Sequence, residues 1–342
     1  MKRRATCVAA AAAIALAPAL PAAARTGPGP VGGPRLGGHG VIANTGSRPA
    51  VTAPTWLVAD VTTGNVLAAR GPHDRRRPAS TQKTLLALTM EPRLNPNGFY
   101  RADKADAEVE GTHVGLVPGQ NYSINDLWYG LFLRSGNDAA NAIAKAGASR
   151  NVGLALSMMR AEARHLQAND TSVRNPSGLD AGGQFSSAYD LALFGRAALG
   201  RADLRHYFGT LRHSFPGNET RTATAADRKP FWVYTQNRLI LNHYPGAVGV
   251  KSGYTSLAHN TLIAAATRNG RTVLVTVMGT RRNIYYQAET LLNWGFAHAN
   301  LTPVGTLVSP LPSGLLPAAH STAGGGPTPT GITAGRRGRR RG

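Results

Sequence analysis

Apolar and polar positions divide the middle of the chain into short strands and longer helices. Trp56-Leu57-Val58-Ala59-Asp60 and Val66-Leu67-Ala68-Ala69 are β-prone runs, and the turn formers Thr62, Thr63, Gly64 and Asn65 between them predict a hairpin. Lys83 to Met90 is apolar and helix-prone. A helical period runs from 124 to 147 and breaks at Arg134-Ser135-Gly136-Asn137. Residues 151–166 and 187–199 read as two more helices. Strand character returns at Val248 to Gly253, Thr261 to Ala266 and Thr272 to Met278. The last two runs flank Arg268-Asn269-Gly270, and Asn-Gly between β-prone runs is a strong hairpin signal. Ile284 to His298 reads as an amphipathic closing helix. Two strands open the domain, helices fill the middle, and three strands and a helix close it. That order predicts an α/β (α+β) fold, with a mainly antiparallel sheet of about five strands flanked by helices and carrying a helical insertion.

Composition changes the picture mainly at the ends. Lys2, Arg3 and Arg4 precede an apolar stretch to about Leu20, and Ala22-Ala23-Ala24 offers a small-residue cleavage site, so 1–24 reads as a secretory signal peptide. Residues 25–50 are rich in Gly and Pro and are expected to be a linker. Residues 51–300 hold the periodic segments. Residues 301–342 are rich in Pro, Gly, Ser and Thr, end in five Arg, and are expected to be a disordered tail. The 342 residues include one Cys, which excludes an intramolecular disulfide and a Cys-based zinc site. No internal run of 18 apolar residues exists, so a multi-span membrane protein is a poor fit.

The formal net charge is +21, and removing the eight basic residues at the two termini leaves 30 basic against 17 acidic. For an exported chain the expected anions are cell wall or membrane surface, reached by electrostatic association, and not nucleic acid. The basic residues comprise 32 Arg but only 6 Lys, so a Lys inside a motif carries weight.

Three short motifs carry candidate chemistry. Ser80-Thr81-Gln82-Lys83 places a hydroxyl and an amine on one face of a helix start. Serine needs an adjacent base to become a nucleophile, and a lysine in a dry, basic pocket can lose its proton and serve as one. Taken alone, an ordinary serine cap with a solvated lysine explains the spacing as well. Ser135-Gly136-Asn137 interrupts an apolar helical region, which an N-cap would also explain. Lys251-Ser252-Gly253 ends a β-run: the lysine could hold a carboxylate, the hydroxyl could share it, and the glycine would let a substrate backbone approach. The competing explanation is an exposed edge-strand lysine. The gaps between first members are 55 and 116 residues, and two of the six lysines fall inside the set.

In combination these are the motifs of penicillin-binding proteins and serine β-lactamases. The stretch RPASTQKTL at 77–85 resembles the nucleophile segment of low-molecular-mass D-alanyl-D-alanine carboxypeptidases, peptidase family S11. DLWYGLFLRSGNDAA at 126–140, NPSGLD at 175–180, SSAYDLALF at 186–194 and YPGAVGVKSGYT at 244–255 are similar to further segments of that family. One departure is His259 after Ala258, where the family usually has Gly.

The resemblance implies a β-lactamase/transpeptidase-like fold and a peptidoglycan pentapeptide substrate, with β-lactams as covalent inhibitors. It implies no cofactor and no metal, and a protein acting as a monomer. Ser80 would be the nucleophile, Lys83 its base, Ser135 a proton relay within reach of both, and Asn137 an orienting amide. Lys251, Ser252, Gly253, Tyr254 and Thr255 would bind substrate, with the Ser80 and Tyr254 amides as oxyanion hole. A class A β-lactamase shares the three motifs but needs a Glu-x-x-x-Asn pair between the second and third. Glu162 and Glu219 are the only Glu residues there, and Leu166 and Ala223 stand four positions on. A basic secreted wall-binding protein without catalysis would explain the charge and leave the motifs to chance.

Overall fold

A computed structural model describes residues 29–217 and 229–312. The expected signal peptide, the tail beyond residue 312 and Glu219 lie outside the described residues. In chain order the elements are β1 (Val41–Ala43), β2 (Thr55–Asp60), β3 (Asn65–Arg70), α1 (Lys83–Met90), β4 (Phe99–Arg101), α2 (Lys104–Ala107), β5 (Asn121–Ser123) and α3 (Ile124–Leu133). There follow α4 (Asn137–Ala146), α5 (Val152–His165), α6 (Ala188–Leu199), α7 (Ala202–Gly209), β6 (Arg212–Phe215), β7 (Phe231–Tyr234) and α8 (Arg238–Leu241). The chain closes with β8 (Ala247–Thr255), β9 (His259–Arg268), β10 (Arg271–Thr280), α9 (Ile284–Ala297) and β11 (Gly305–Thr306).

The main sheet runs β1-β3-β2-β10-β9-β8, with β11 also on β3, and every pairing is antiparallel. The five strands expected from the periodic runs, β2, β3, β8, β9 and β10, form its body. The Asn269-Gly270 hairpin forms as expected, with φ of 50° and 75°. In the β2–β3 turn, Asp60 accepts the amides of Thr62 and Thr63. The sheet is covered on both faces. Leu57, Ala59, Leu274 and Met278 face a core shared with α1 and α3–α7, whereas Trp56, Val58, Val273, Val275 and Val277 face α9. Burial on both sides explains why these strands read as nearly continuous apolar runs.

Two expectations about the ends need correction. The 25–50 segment is not simply a linker: from residue 29 onward it includes β1, and Leu36 is fully buried. The tail does not begin at 301, because β11 pairs with β3 and Val304 and Leu307 are buried in the main core. The reason is the outer edge of β3. β1 pairs with Ala68 to Arg70 and β11 with Asn65 and Val66, so two short pieces from opposite chain ends cap one edge that would otherwise expose unpaired backbone groups.

Candidate active site

The sheet's other edge is β8, and the nucleophile motif packs against it. Ser80 lies in a single 3-10 turn, Ala79–Gln82, that runs into α1. All eight residues of α1 are buried, Lys83 included, so the lysine sits under the molecule's surface. Pro78 carbonyl anchors the turn by accepting from Thr81 Oγ1 (2.6 Å) and from Thr261 Oγ1 of β9 (2.8 Å). Gly253 of β8 is where the turn touches the strand. A Cβ there would lie 2.6 Å from the Ser80 amide nitrogen and 3.0 Å from Ala79 Cβ. The glycine therefore admits the nucleophile's own backbone.

Lys83 Nζ has three neighbours: Ser80 Oγ at 2.8 Å, Asn137 Oδ1 at 2.7 Å and the Ser177 carbonyl at 2.9 Å. The last two can only accept. A neutral amine has two N–H groups and one lone pair, so it satisfies both acceptors and turns its lone pair to the Ser80 hydroxyl. Burial, and then repulsion by Lys251, hold the Lys83 pKa well below its ordinary value. The Asn137 amide is oriented by its other end, since Nδ2 donates to the Glu110 carbonyl at 2.7 Å. Its oxygen serves Lys83, and one of the two Nδ2 hydrogens is taken by Glu110.

Ser135 has φ of 61° at the α3–α4 break and is nearly buried. No hydrogen bond joins it to Lys83, whose partners are Ser80, Asn137 and Ser177. Neither Ser135 nor Asn137 caps α4 through its side chain. The break instead aims Asn137 inward, while neighbouring Asp138 accepts from the amides of Val114, Gly115 and Leu116 and ties that loop to the helix.

Lys251 is 3% exposed, and its Nζ donates to Ser252 carbonyl at 2.8 Å. Burial lowers its pKa from 10.5 to about 7. It lies close enough to Lys83 to lower that amine's pKa. Ser252, Gly253 and Thr255 are partly exposed along β8, and Tyr254 is well exposed beside them. His259 faces Thr255 across the β8–β9 turn at φ of 56°, the left-handed conformation that glycine adopts without strain.

The loop at 174–179 was the functional element without an assigned role. Its Ser177 carbonyl holds Lys83, and its Gly178, at φ of 89°, fits so closely that a Cβ would lie 1.9 Å from the Ala79 carbonyl oxygen. The arrangement can deprotonate a partly exposed serine through a buried amine, beside a cation able to receive an anion. Among the described residues there is no cluster of three metal-ligating side chains.

The family of D-alanyl-D-alanine carboxypeptidases, peptidase S11, matches residues 42–282. The D-alanyl-D-alanine carboxypeptidase DacB2 of Mycobacterium tuberculosis is 38% identical over 271 residues, 77% of this chain and 89% of the relative. DacF of Bacillus subtilis is 29% identical over 75% of this chain and 66% of its own length. A crystal structure of a D-alanyl-D-alanine carboxypeptidase from M. tuberculosis superposes with a TM-score of 0.68 at 36% identity, covering 79% of this chain and all of that one. The Streptomyces K15 DD-transpeptidase gives 0.68 at 26% identity, over 73% of this chain and 99% of that one.

Proposed function

The chain belongs to the D-alanyl-D-alanine carboxypeptidase family, peptidase S11, and from that premise we propose that it removes the terminal D-Ala from peptidoglycan stem peptides through an acyl-enzyme on Ser80. The observation that carries the reading is the 2.8 Å contact of Ser80 Oγ with a fully buried lysine whose other two contacts are acceptors.

Lys83 accepts the Ser80 proton as Oγ attacks the carbonyl carbon of the penultimate D-Ala. The resulting oxyanion faces the Ser80 amide, held at the edge of β8 beside Gly253 and Tyr254. The proton then passes to the departing D-Ala nitrogen, with Ser135 at the α3–α4 break as the relay. The C–N bond breaks, the ester remains on Ser80, and water cleaves it. Lys251, with Ser252 and Thr255 along the same strand, receives the substrate's terminal carboxylate. The same ester forms with a β-lactam, whose ring amide takes the place of the peptide bond.

Export places this chemistry outside the cytoplasmic membrane, where the Arg-rich C-terminal end associates with anionic wall or membrane and the enzyme works as a monomer. The test is a defined pentapeptide supplied with and without an acceptor amine, alongside labelling by a fluorescent penicillin. Release of free D-Ala in wild type, with loss of both labelling and release in a folded Ser80→Ala variant, is the expected result. Full labelling of that variant overturns the assignment, and quantitative transfer to the amine makes the enzyme a transpeptidase.

A further inference from the structure

Lys83 is held by a backbone carbonyl, and backbone carbonyls stay where their loop is held. The loop at 174–179 has one fully buried side chain at its centre. Gln184, 1% exposed, accepts from the amides of Arg174 (3.0 Å) and Asn175 (3.1 Å) through Oε1 and donates from Nε2 to the Leu179 carbonyl. Gln82, also 1% exposed, precedes Lys83 directly. Its Nε2 donates to the Asn175 carbonyl at 2.5 Å and to Gln184 Oε1 at 3.2 Å. The Gln82 Oε1 atom is buried without a hydrogen-bond partner. An orphaned buried acceptor is a cost that an apolar side chain of the same length would not carry. The amide at position 82 therefore costs the core something and serves the loop.

We propose that Gln82 and Gln184 are positioning residues for the base: bonded to each other and to both ends of the 174–179 loop, they press Ser177 carbonyl onto Lys83 and keep water off the amine. Gln82 couples the loop to the very turn that carries Ser80 and Lys83, so loop and base move as one body. Gly178 completes the seal from the other side, in contact with the Ala79 carbonyl. The inference rests on Ser80 acylation with Lys83 as base. The Lys83 pKa is lowered first by burial and then by the Lys251 charge, and is raised by Asp138; loosening the loop admits water, weakens the first of these and returns the pKa toward its ordinary value. More of the amine is then protonated at neutral pH, and the loss of rate shrinks as pH rises.

The experiment measures the second-order rate of acylation by a fluorescent penicillin from acidic to alkaline pH for wild type, Gln82→Met, Gln184→Leu and Gln287→Met. Gln287 is a buried glutamine of α9 that accepts from the Thr52 and Ala53 amides, on the other face of the sheet, and serves as the matched control. Gln82→Met and Gln184→Leu should acylate roughly ten- to a hundredfold more slowly at neutral pH, with the acid limb displaced to higher pH. Gln287→Met should lower the melting temperature and leave the limb in place. If Gln184→Leu does not fold, Gln82→Met decides alone. An unmoved limb, or one displaced to lower pH, overturns the proposal. Failure of wild type itself to be labelled would instead overturn the catalytic reading on which it rests.

Discussion

Lys251→Ala separates a carboxylate-binding lysine from one that only completes the pocket. The side chain is buried beside a second lysine, and the Ser252 carbonyl cannot neutralise it. Removing one charge-assisted contact costs about 1.5–3 kcal/mol, or roughly ten- to a hundredfold in kcat/KM, on a peptide ending in D-Ala-D-Ala. The C-terminally amidated peptide has no charge to lose, so wild type should turn it over poorly and the variant should lose little more. The pH dependence adds a second reading. Burial pushes the Lys251 pKa down to about 7, and only the protonated form holds a carboxylate. Above that pH, kcat/KM on the free-acid peptide should fall by about tenfold per unit, because this parameter reports the free enzyme's groups. The amidated peptide should lack this limb. The acid limb belongs to Lys83, and Lys251 is one cause of its lowered pKa, so Lys251→Ala should move that limb to higher pH. Steady-state kinetics on both peptides across pH supplies all three readings. Equal losses on the two peptides, or an alkaline limb that persists with the amide, would refute the carboxylate role.

Lys251→Met should be more stable than wild type. A lysine with a folded pKa near 7 and an ordinary value of 10.5 binds fewer protons folded than unfolded between those limits, so wild type gains on the variant by about 1.4 kcal/mol per pH unit there, and the gap is widest below 7; a pH-independent gap in denaturant unfolding would contradict the burial argument. Deleting residues from 303 onward removes β11 and the buried Val304 and Leu307, and should cost about 3–5 kcal/mol of stability, whereas deleting residues beyond 312 should leave both stability and peptide turnover unchanged. Gly178→Ala should slow penicillin acylation by about a hundredfold, since its Cβ would overlap the Ala79 carbonyl and push the loop off the nucleophile turn; wild-type rates would disprove the close approach. The penicillin adduct should persist for minutes or longer by mass spectrometry, because among the described residues no hydrogen-bond partner of Lys83 is a carboxylate, the nearby Asp138 spends both oxygens on the Val114, Gly115 and Leu116 amides, and Glu162 lies on α5 near His165 and Arg93; rapid consumption of excess drug would restore the β-lactamase reading.

The parts of this molecule that were legible in its sequence are those in which residue type and spacing do the physical work. β2, β3, β9 and β10 announce themselves because a strand buried on both faces must be apolar throughout, and α3 and α4 because a helical stripe stops and restarts at Ser135-Gly136-Asn137. Ser80, Lys83, Asn137 and Lys251 were legible for a related reason: a hydroxyl, two amines and an amide at those intervals have few other uses in combination. β1 and β11 were not, since strands of three and two residues have no period, and what calls for them is the open edge of a strand far away in the chain. The same holds inside the site. Lys83 is held by the backbone of Ser177, and a carbonyl carries no signature of residue type. The side chains that fix such a carbonyl, Gln82 and Gln184, act at one remove from the chemistry, and a buried glutamine looks in sequence like any surface glutamine. Gly253 has a contact that its motif does not reveal. Strand-edge glycine implies close approach of some backbone, and only the fold reveals that the approaching chain is the nucleophile's own turn. A site of this kind is therefore read in two steps: the reacting groups from their types, and the groups that keep one amine neutral and dry from which carbonyls the fold leaves beside it.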